Sequence, residues 1–199
     1  MSSHQQITAI ILSGGQGSRV NDKDKGLIQF QGKPMIEHVI EAIKPQVDSI
    51  VISANRNIEE YACFNFPVIN DNTLTFEGPI AGIISAYEHI EDESQLILSA
   101  SCDSPHLPSD YVKKLYSCLT ESTADIAVVD DGERIQNSHF LMRIEVLPSL
   151  HDYFTSGGRS LYGWHENQNM VKVDFSDQKD SFFNINTFDD LALLDNSTG

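Results

Sequence analysis

Short apolar runs alternate along the chain with segments whose apolar positions recur every three to four residues. Ile7 to Leu12 is nearly continuous apolar sequence, the pattern of a buried strand with little side-chain alternation. Comparable runs predict strands at about 49–53, 67–70, 95–100 and 125–130, with two further strands near 138–143 and 170–175. Helical spacing predicts helices at about 35–46, 57–63, 80–90, 109–121, 145–154, 159–166 and 188–195. Met35, Ile36, Val39, Ile40 and Ile43 fall on one face of the first of these, and Pro34 suits its first turn. Ser109-Asp110 reads as a cap for the helix carrying Val112, Leu115 and Leu119. This alternation predicts an α/β fold, a three-layer α/β/α domain around a Rossmann-like, mostly parallel sheet. Ligands of such sheets bind beyond the carboxyl ends of the strands.

Composition narrows the class without naming the chemistry. The 199 residues read as one domain over 1–199 with tails at 1–6 and 196–199, and the absence of Pro and Gly from 109–131 argues against a boundary there. A chain of that length buries about 70% of its unfolded surface. A net charge of −16 argues against general nucleic-acid binding, which needs a basic face. It also sets off the cations Arg19, Lys23, Lys25 and Lys33, because a local positive mouth on an acidic surface selects where an anion docks. Cys63, Cys102 and Cys118 are odd in number and show no C-x-x-C spacing, so they read as reduced thiols in a cytoplasmic protein. No signal core or membrane span is apparent, and Asn196-Ser197-Thr198 reads as a chance sequon.

The chemistry begins where the first strand ends. Leu12-Ser13-Gly14-Gly15-Gln16-Gly17-Ser18-Arg19 leads into Asp22-Lys23-Asp24-Lys25-Gly26. Glycines let a backbone approach a polyphosphate and aim N–H donors at it, while Arg and Lys offset its charge. A P-loop is excluded, since no glycine here precedes Lys-Ser/Thr at the required offset. A dinucleotide fingerprint fails as well: Val20 replaces its third glycine, and the second strand ends in Ser53-Ala54-Asn55 without a ribose-binding acid.

The apolar strand at 95–100 delivers a second group, Asp103, followed by Ser104-Pro105 and Pro108. Mg²⁺ in phosphate-transfer sites is held by one or two carboxylates plus phosphates and water, so a lone Asp suffices, although Asp-Ser-Pro is also ordinary turn chemistry. Gly78-Pro79-Ile80-Ala81-Gly82 opens a helix after a loop containing Asp71; its glycines fit either a packed nucleotide base or a helix lying close on the sheet. Asn184 and Asn186 share one face if extended, and Thr187 suits an N-cap. His38, His89 and His139 read as packing or surface residues, because no Ser-His-Asp array or carboxylate pair is present at the expected site.

Leu12, Gly14, Gly15, Arg19 and Asp24-Lys25-Gly26-Leu27 resemble the nucleotidyltransferase loop, with Ser13, Val20 and Asn21 departing from it. Gly32-Lys33-Pro34, Ala54-Asn55-Arg56, Asp71, Gly78 to Gly82, Cys102 to Pro105, Asp131-Gly132-Glu133-Arg134, Asp174-Phe175-Ser176-Asp177 and Asn184-x-Asn186-Thr187 follow in order. Together, from Ile7 to about Leu194, they resemble the molybdenum cofactor guanylyltransferase family. The resemblance implies a nucleotidyltransferase-type sheet and transfer of GMP from GTP to the terminal phosphate of molybdenum-molybdopterin, with Mg²⁺. It implies catalytic roles for Arg19, Lys25 and Asp103, the last also as metal ligand. Leu12, Ser13, Gly14, Gly15, Lys25, Ser53, Asp71, Gly78 and Asp103 would bind the nucleotide, Ser53 standing where the family carries Asn. Arg159, Asn184 and Asn186 would meet the pterin, Ser160 standing where a second Arg can occur. A molybdenum-insertion protein or molybdoenzyme chaperone is an implied partner class. The alternatives are a cytidylyltransferase on the same pterin, a sugar-phosphate nucleotidyltransferase, or a non-catalytic GTP-binding or cofactor-chaperone module. CTP users tend to carry Ala-Ala-Gly where Ser13-Gly14-Gly15 stands, which favours GTP.

Overall fold

A computed structural model describes residues 5–13, 24–70, 78–87, 89–90 and 94–185. Gly14, Gly15, Arg19, Lys23, Asp71, Asn186 and the helix predicted at 188–195 lie outside the described residues. The strands are β1 (Gln6–Leu12), β2 (Gln29–Phe30), β3 (Lys33–Pro34), β4 (Ser49–Ser53), β5 (Val68–Ile69), β6 (Ser94–Ser101), β7 (Ile126–Asp130), β8 (Ile135–Arg143) and β9 (Met170–Asp174). The helices are α1 (Met35–Ile43), α2 (Ile58–Ala62), α3 (Pro79–Tyr87), α4 (Tyr111–Glu121), α5 (Leu147–Thr155) and α6 (Leu161–His165).

Seven strands form one sheet in the order β5-β4-β1-β6-β8-β7-β9, and β2-β3 form a small antiparallel ribbon. β1 is central, parallel to β4 on one side and to β6 on the other. Its side chains explain the missing alternation in the sequence. Ile7, Ala9 and Ile11 enter a core with α1 and α4, whereas Ile10 and Leu12 enter a second core with α3, α5 and α6. Helices thus cover both faces, giving the expected three layers. The chain runs from β1 to β4 on one side and later returns to β6 on the other. The tips of β1 and β6 therefore flank a topological switch point, the place where open α/β sheets bind ligands.

The mostly parallel sheet contains one inversion. β8 lies antiparallel between β6 and β7, entered through the turn at Asp131–Arg134, where Gly132 has φ +86°. Helix boundaries also depart from the periodicity. The helix expected over 35–46 stops as α1 at Ile43 and becomes a 3-10 turn over Lys44–Gln46. Pro45 offers no N–H, and its ring opposes continuation of the α-helix. Pro34 sits at the N-cap of α1 instead of inside its first turn. Asp110 occupies the N-cap of α4 but makes no side-chain cap bond, its carboxylate lying 3.8 Å from Lys114 Nζ. Ser160, by contrast, is a working cap: its hydroxyl accepts the Gly163 N–H of α6 at 3.5 Å.

Candidate active site

The tips of β1, β4 and β6 are tied to one another by the backbone. Ser13 N–H donates to the Ser53 carbonyl at 2.8 Å, and Cys102 N–H donates to the Leu12 carbonyl at 3.1 Å. These bonds carry the parallel ladder past the strand ends, so Leu12, Ser13, Ser53 and Cys102-Asp103 are brought together as the sequence implied. Ser13 and Ser53 are both buried. Among the described residues the Ser13 hydroxyl makes no well-formed hydrogen bond, although it lies beside the Tyr61 hydroxyl and the Cys102 thiol.

Asp103 is held on every side. It is 8% exposed, and the Ser101 hydroxyl donates to its Oδ1 at 2.5 Å. Its carbonyl accepts the Ile185 N–H at 3.1 Å. Lys25 Nζ lies 3.2 Å from its Oδ2. The prolines at 105 and 108 do not account for this placement alone, because a buried side-chain relay lies behind the turn. Ser104 Oγ donates to Asn184 Oδ1 at 3.0 Å and lies 3.1 Å from His139 Nε2. A serine hydroxyl has one proton, so with that proton on Asn184 the histidine donates through Nε2. Nδ1 is then unprotonated and lies 3.3 Å from the Tyr111 hydroxyl, whose own proton goes to the Ser99 carbonyl at 3.2 Å. Burial pushes the His139 pKa down to about 4, which keeps the ring neutral and the relay directional. His139 is a packing residue as expected, against Tyr111 and Phe182, but it also braces the turn that carries Asp103.

The Lys25 side of the site is built from a 3-10 turn, Lys25–Leu27. The Tyr61 hydroxyl donates to Asp24 Oδ1 at 2.5 Å. Gly26 is required there: a Cβ would lie 2.6 Å from the Tyr61 hydroxyl and 3.2 Å from Cys102 Sγ. Burial raises the Asp24 pKa, while the Tyr61 hydrogen bond opposes that rise. Burial likewise pushes the Tyr61 phenol and the Cys102 thiol upward, so both stay protonated. Lys33 stands apart, paired with Glu41 of α1.

α3 closes over the β1 and β4 tips. A Cβ on Gly82 would lie 2.3 Å from Ser53 Oγ and 3.5 Å from Leu12 Cδ2, so this glycine permits close approach of helix to sheet. Gly78, with φ +84°, starts the helix, and a Cβ there would approach the Arg159 carbonyl at 3.4 Å. The expected nucleotide-side Gly78 and pterin-side Arg159 are therefore neighbours. The Arg159 guanidinium lies 4.2 Å from the Phe154 ring centroid and donates to the carbonyls of Phe154 and Gly158 at 2.8 Å each. Asn184 points its amide oxygen at Ser104, a partner that spacing alone did not suggest. The residues that sequence reasoning missed are Tyr61, Ser101 and Ser104, together with the bracing role of His139. Their partners are remote in sequence or unremarkable in type, leaving only the D-K-G ending as a signal for the Asp24–Tyr61 contact.

Among the described residues, no set of three or more His, Cys, Asp or Glu side chains gathers as a metal cage. Asp103 instead offers one buried carboxylate beside the turn that carries Lys25. That donor set fits Mg²⁺ completed by phosphate oxygens and water. No helix among the described residues is long and apolar enough to cross a membrane.

Residues 9–170 match the family described as the MobA-like NTP transferase domain. A molybdenum cofactor guanylyltransferase of Photobacterium profundum is 43% identical over 96% of this chain and 96% of its own length. One from Shewanella sediminis is 41% identical over 92% of each chain. Among solved structures, molybdopterin-guanine dinucleotide biosynthesis protein A from Archaeoglobus fulgidus shares the fold with a TM-score of 0.77. The match covers 96% of this chain and 98% of that one at 22% identity. A nucleotidyl transferase from Methanothermobacter gives a TM-score of 0.76 at 16% identity, covering 98% of both chains. The sheet, the paired strand tips and these relatives agree: the chain belongs to the molybdenum cofactor guanylyltransferase family of MobA-like NTP transferases.

Proposed function

We propose that this nucleotidyltransferase moves GMP from GTP onto the terminal phosphate of molybdenum-molybdopterin, releasing pyrophosphate. The observation that carries the residue-level reading is the Lys25–Asp103 pair at 3.2 Å, set at the switch point between β1 and β6. An opposed cation and carboxylate at that place match the needs of phosphoryl chemistry, in which catalysis is mostly positioning and charge stabilisation. The pterin phosphate is already anionic, so attack on the α-phosphorus needs no strong general base. That agrees with the buried, neutral state of His139.

In this reading Lys25 binds the nucleotide phosphates and offsets charge moving onto the leaving pyrophosphate. Leu12, Ser13 and Ser53 line the strand tips beneath the nucleoside, and α3 from Gly78 onward closes over them. Gly14, Gly15, Arg19 and Asp71 complete the nucleotide side, while Arg159, Asn184 and Asn186 serve the pterin side. Asp103 would hold Mg²⁺, which would supply charge neutralisation for the phosphates. Cytoplasmic placement and a cofactor-delivering partner belong to the same reading.

The test is incubation with GTP, Mg²⁺ and molybdenum-loaded molybdopterin, with CTP in parallel, followed by product identification. The guanine dinucleotide and pyrophosphate are expected from GTP. Consumption of CTP with GTP inert would assign the chain to cytidylyl transfer. Tight GTP binding without turnover would make it a binding module.

A further inference from the structure

We propose that Tyr61 is a positioning residue for nucleotidyl transfer, holding the Lys25 turn against the Asp103 turn; the inference rests on the function proposed above. Tyr61 is wholly buried on α2. Its hydroxyl reaches the two residues that bracket Lys25. It donates to Asp24 Oδ1 on one side and occupies the space where a Gly26 Cβ would stand on the other. Cys102 Sγ closes the same contact from the β6 side, and Cys102 is the residue immediately before Asp103. The Asp24–Gly26 backbone is thus clamped between a phenol and a thiol that belong to different strand-helix units. With both neighbours fixed, Lys25 can reach only a limited region, and that region contains Asp103 Oδ2.

The chemistry requires a hydroxyl at this point. Asp24 is half-buried, so its carboxylate gains from a donor that replaces lost water. Arg56 and Glu60 also act on Asp24 through space with opposite signs, and the Gly26 N–H contributes a backbone bond. A phenylalanine would fill the same volume and leave the carboxylate without its short side-chain bond. The consequence falls on Lys25, because a displacement of about 1 Å in a charge-stabilising group costs up to about 100-fold in rate.

The experiment is a double-mutant cycle in the full chain: wild type, Tyr61→Phe, Lys25→Ala and the double variant. Pyrophosphate release is measured with GTP, Mg²⁺ and molybdenum-loaded molybdopterin, alongside Mg·GTP affinity by calorimetry. Tyr61→Phe is expected to lower kcat/KM for GTP about tenfold when Lys25 is present and less than about twofold when it is absent. KM for molybdopterin should stay unchanged. Normal GTP kinetics in folded Tyr61→Phe, or an equal penalty in both backgrounds, would overturn the proposal. If Tyr61→Phe does not fold, Asp24→Asn takes its place, since its amide oxygen accepts the hydroxyl more weakly. A loss of about threefold confined to the Lys25 background is then expected, and an equal loss in both backgrounds again overturns the idea. A wild-type enzyme inert toward GTP would instead sink the function itself, so the two failures are distinguishable.

Discussion

The turn carrying Lys25 and the turn carrying Asp103 meet across 3.2 Å, yet they are held by different means. Asp103 follows a strand paired on both edges, with β1 up to Ser101 and with β8 up to Ser99, and is gripped by Ser101, by the Ile185 amide and, through Ser104, by the His139 relay. The Lys25 turn lies well beyond β1 and is held from its flanks, by the Tyr61 phenol on Asp24, by the Cys102 thiol beside Gly26 and by Leu27 packed against the core. The anionic member is therefore placed by the sheet, and the cationic member is brought to it by a loop. A rigid acid suits a metal site, where ligand direction matters. A lysine is a flexible point charge and tolerates a lighter anchor. Damage to the two anchors should consequently differ in kind.

The largest effects should come from the charges themselves. Lys25→Ala and Asp103→Ala are each expected to lower kcat/KM by about 100-fold or more, measured as pyrophosphate release by folded protein. Removing the brace behind Asp103 should come next. His139→Leu leaves Ser104 without its buried partner and is expected to cost about tenfold in kcat, with a raised Mg²⁺ requirement. His139→Gln, which can still donate to Ser104, should recover most of that loss. Equal behaviour of the two variants would reduce His139 to a space-filler.

The same histidine predicts a pH dependence of stability. Burial lowers the pKa of both His139 and His165 from 6.5 to about 4 in the folded protein. The unfolded chain therefore takes up these protons first as the pH falls. Stability should drop between pH 6.5 and about 4, by up to about 3 kcal/mol per histidine. Melting temperature against pH should show this slope, and His139→Gln should remove the His139 share of it while the His165 share stays.

Smaller effects probe the walls around the two anchors. Gly82→Ala places a methyl against Ser53 Oγ and should lift α3, costing about 1–3 kcal/mol and raising KM for GTP. Adding Ser53→Ala should recover part of that loss. Lys33→Ala breaks only an exposed pair with Glu41 and should leave GTP kinetics within about twofold of wild type. A larger defect would put Lys33 in the phosphate site.

The sheet was legible in the sequence wherever burial on both faces wrote a continuous apolar run, as in β1, β4 and β6. The reversed direction of β8 was not, because a buried strand reads alike in either direction. The Asp131–Arg134 segment, read in the sequence only as part of the family resemblance, is the turn that joins β7 to β8. Lys25 and Asp103 were legible because strand-tip chemistry is local: glycines and cations after one strand, a carboxylate after another. Their supports were not local. Tyr61 and Asp24 are 37 residues apart, and Ser104 and His139 are 35 apart. No periodicity encodes a single cross-element hydrogen bond. Asn184 shows a partner that spacing does not encode: its distance from Asn186 in sequence suggested a substrate contact, and the fold also sets its amide oxygen on the Ser104 hydroxyl.

The most direct test of the paired site is the Lys25→Ala, Asp103→Ala and double-variant series, assayed for pyrophosphate release with GTP, Mg²⁺ and molybdenum-loaded molybdopterin. If the two charges act as one unit, the double variant should be little worse than the poorer single variant. Losses that simply multiply, or normal turnover by folded Asp103→Ala protein, would contradict it.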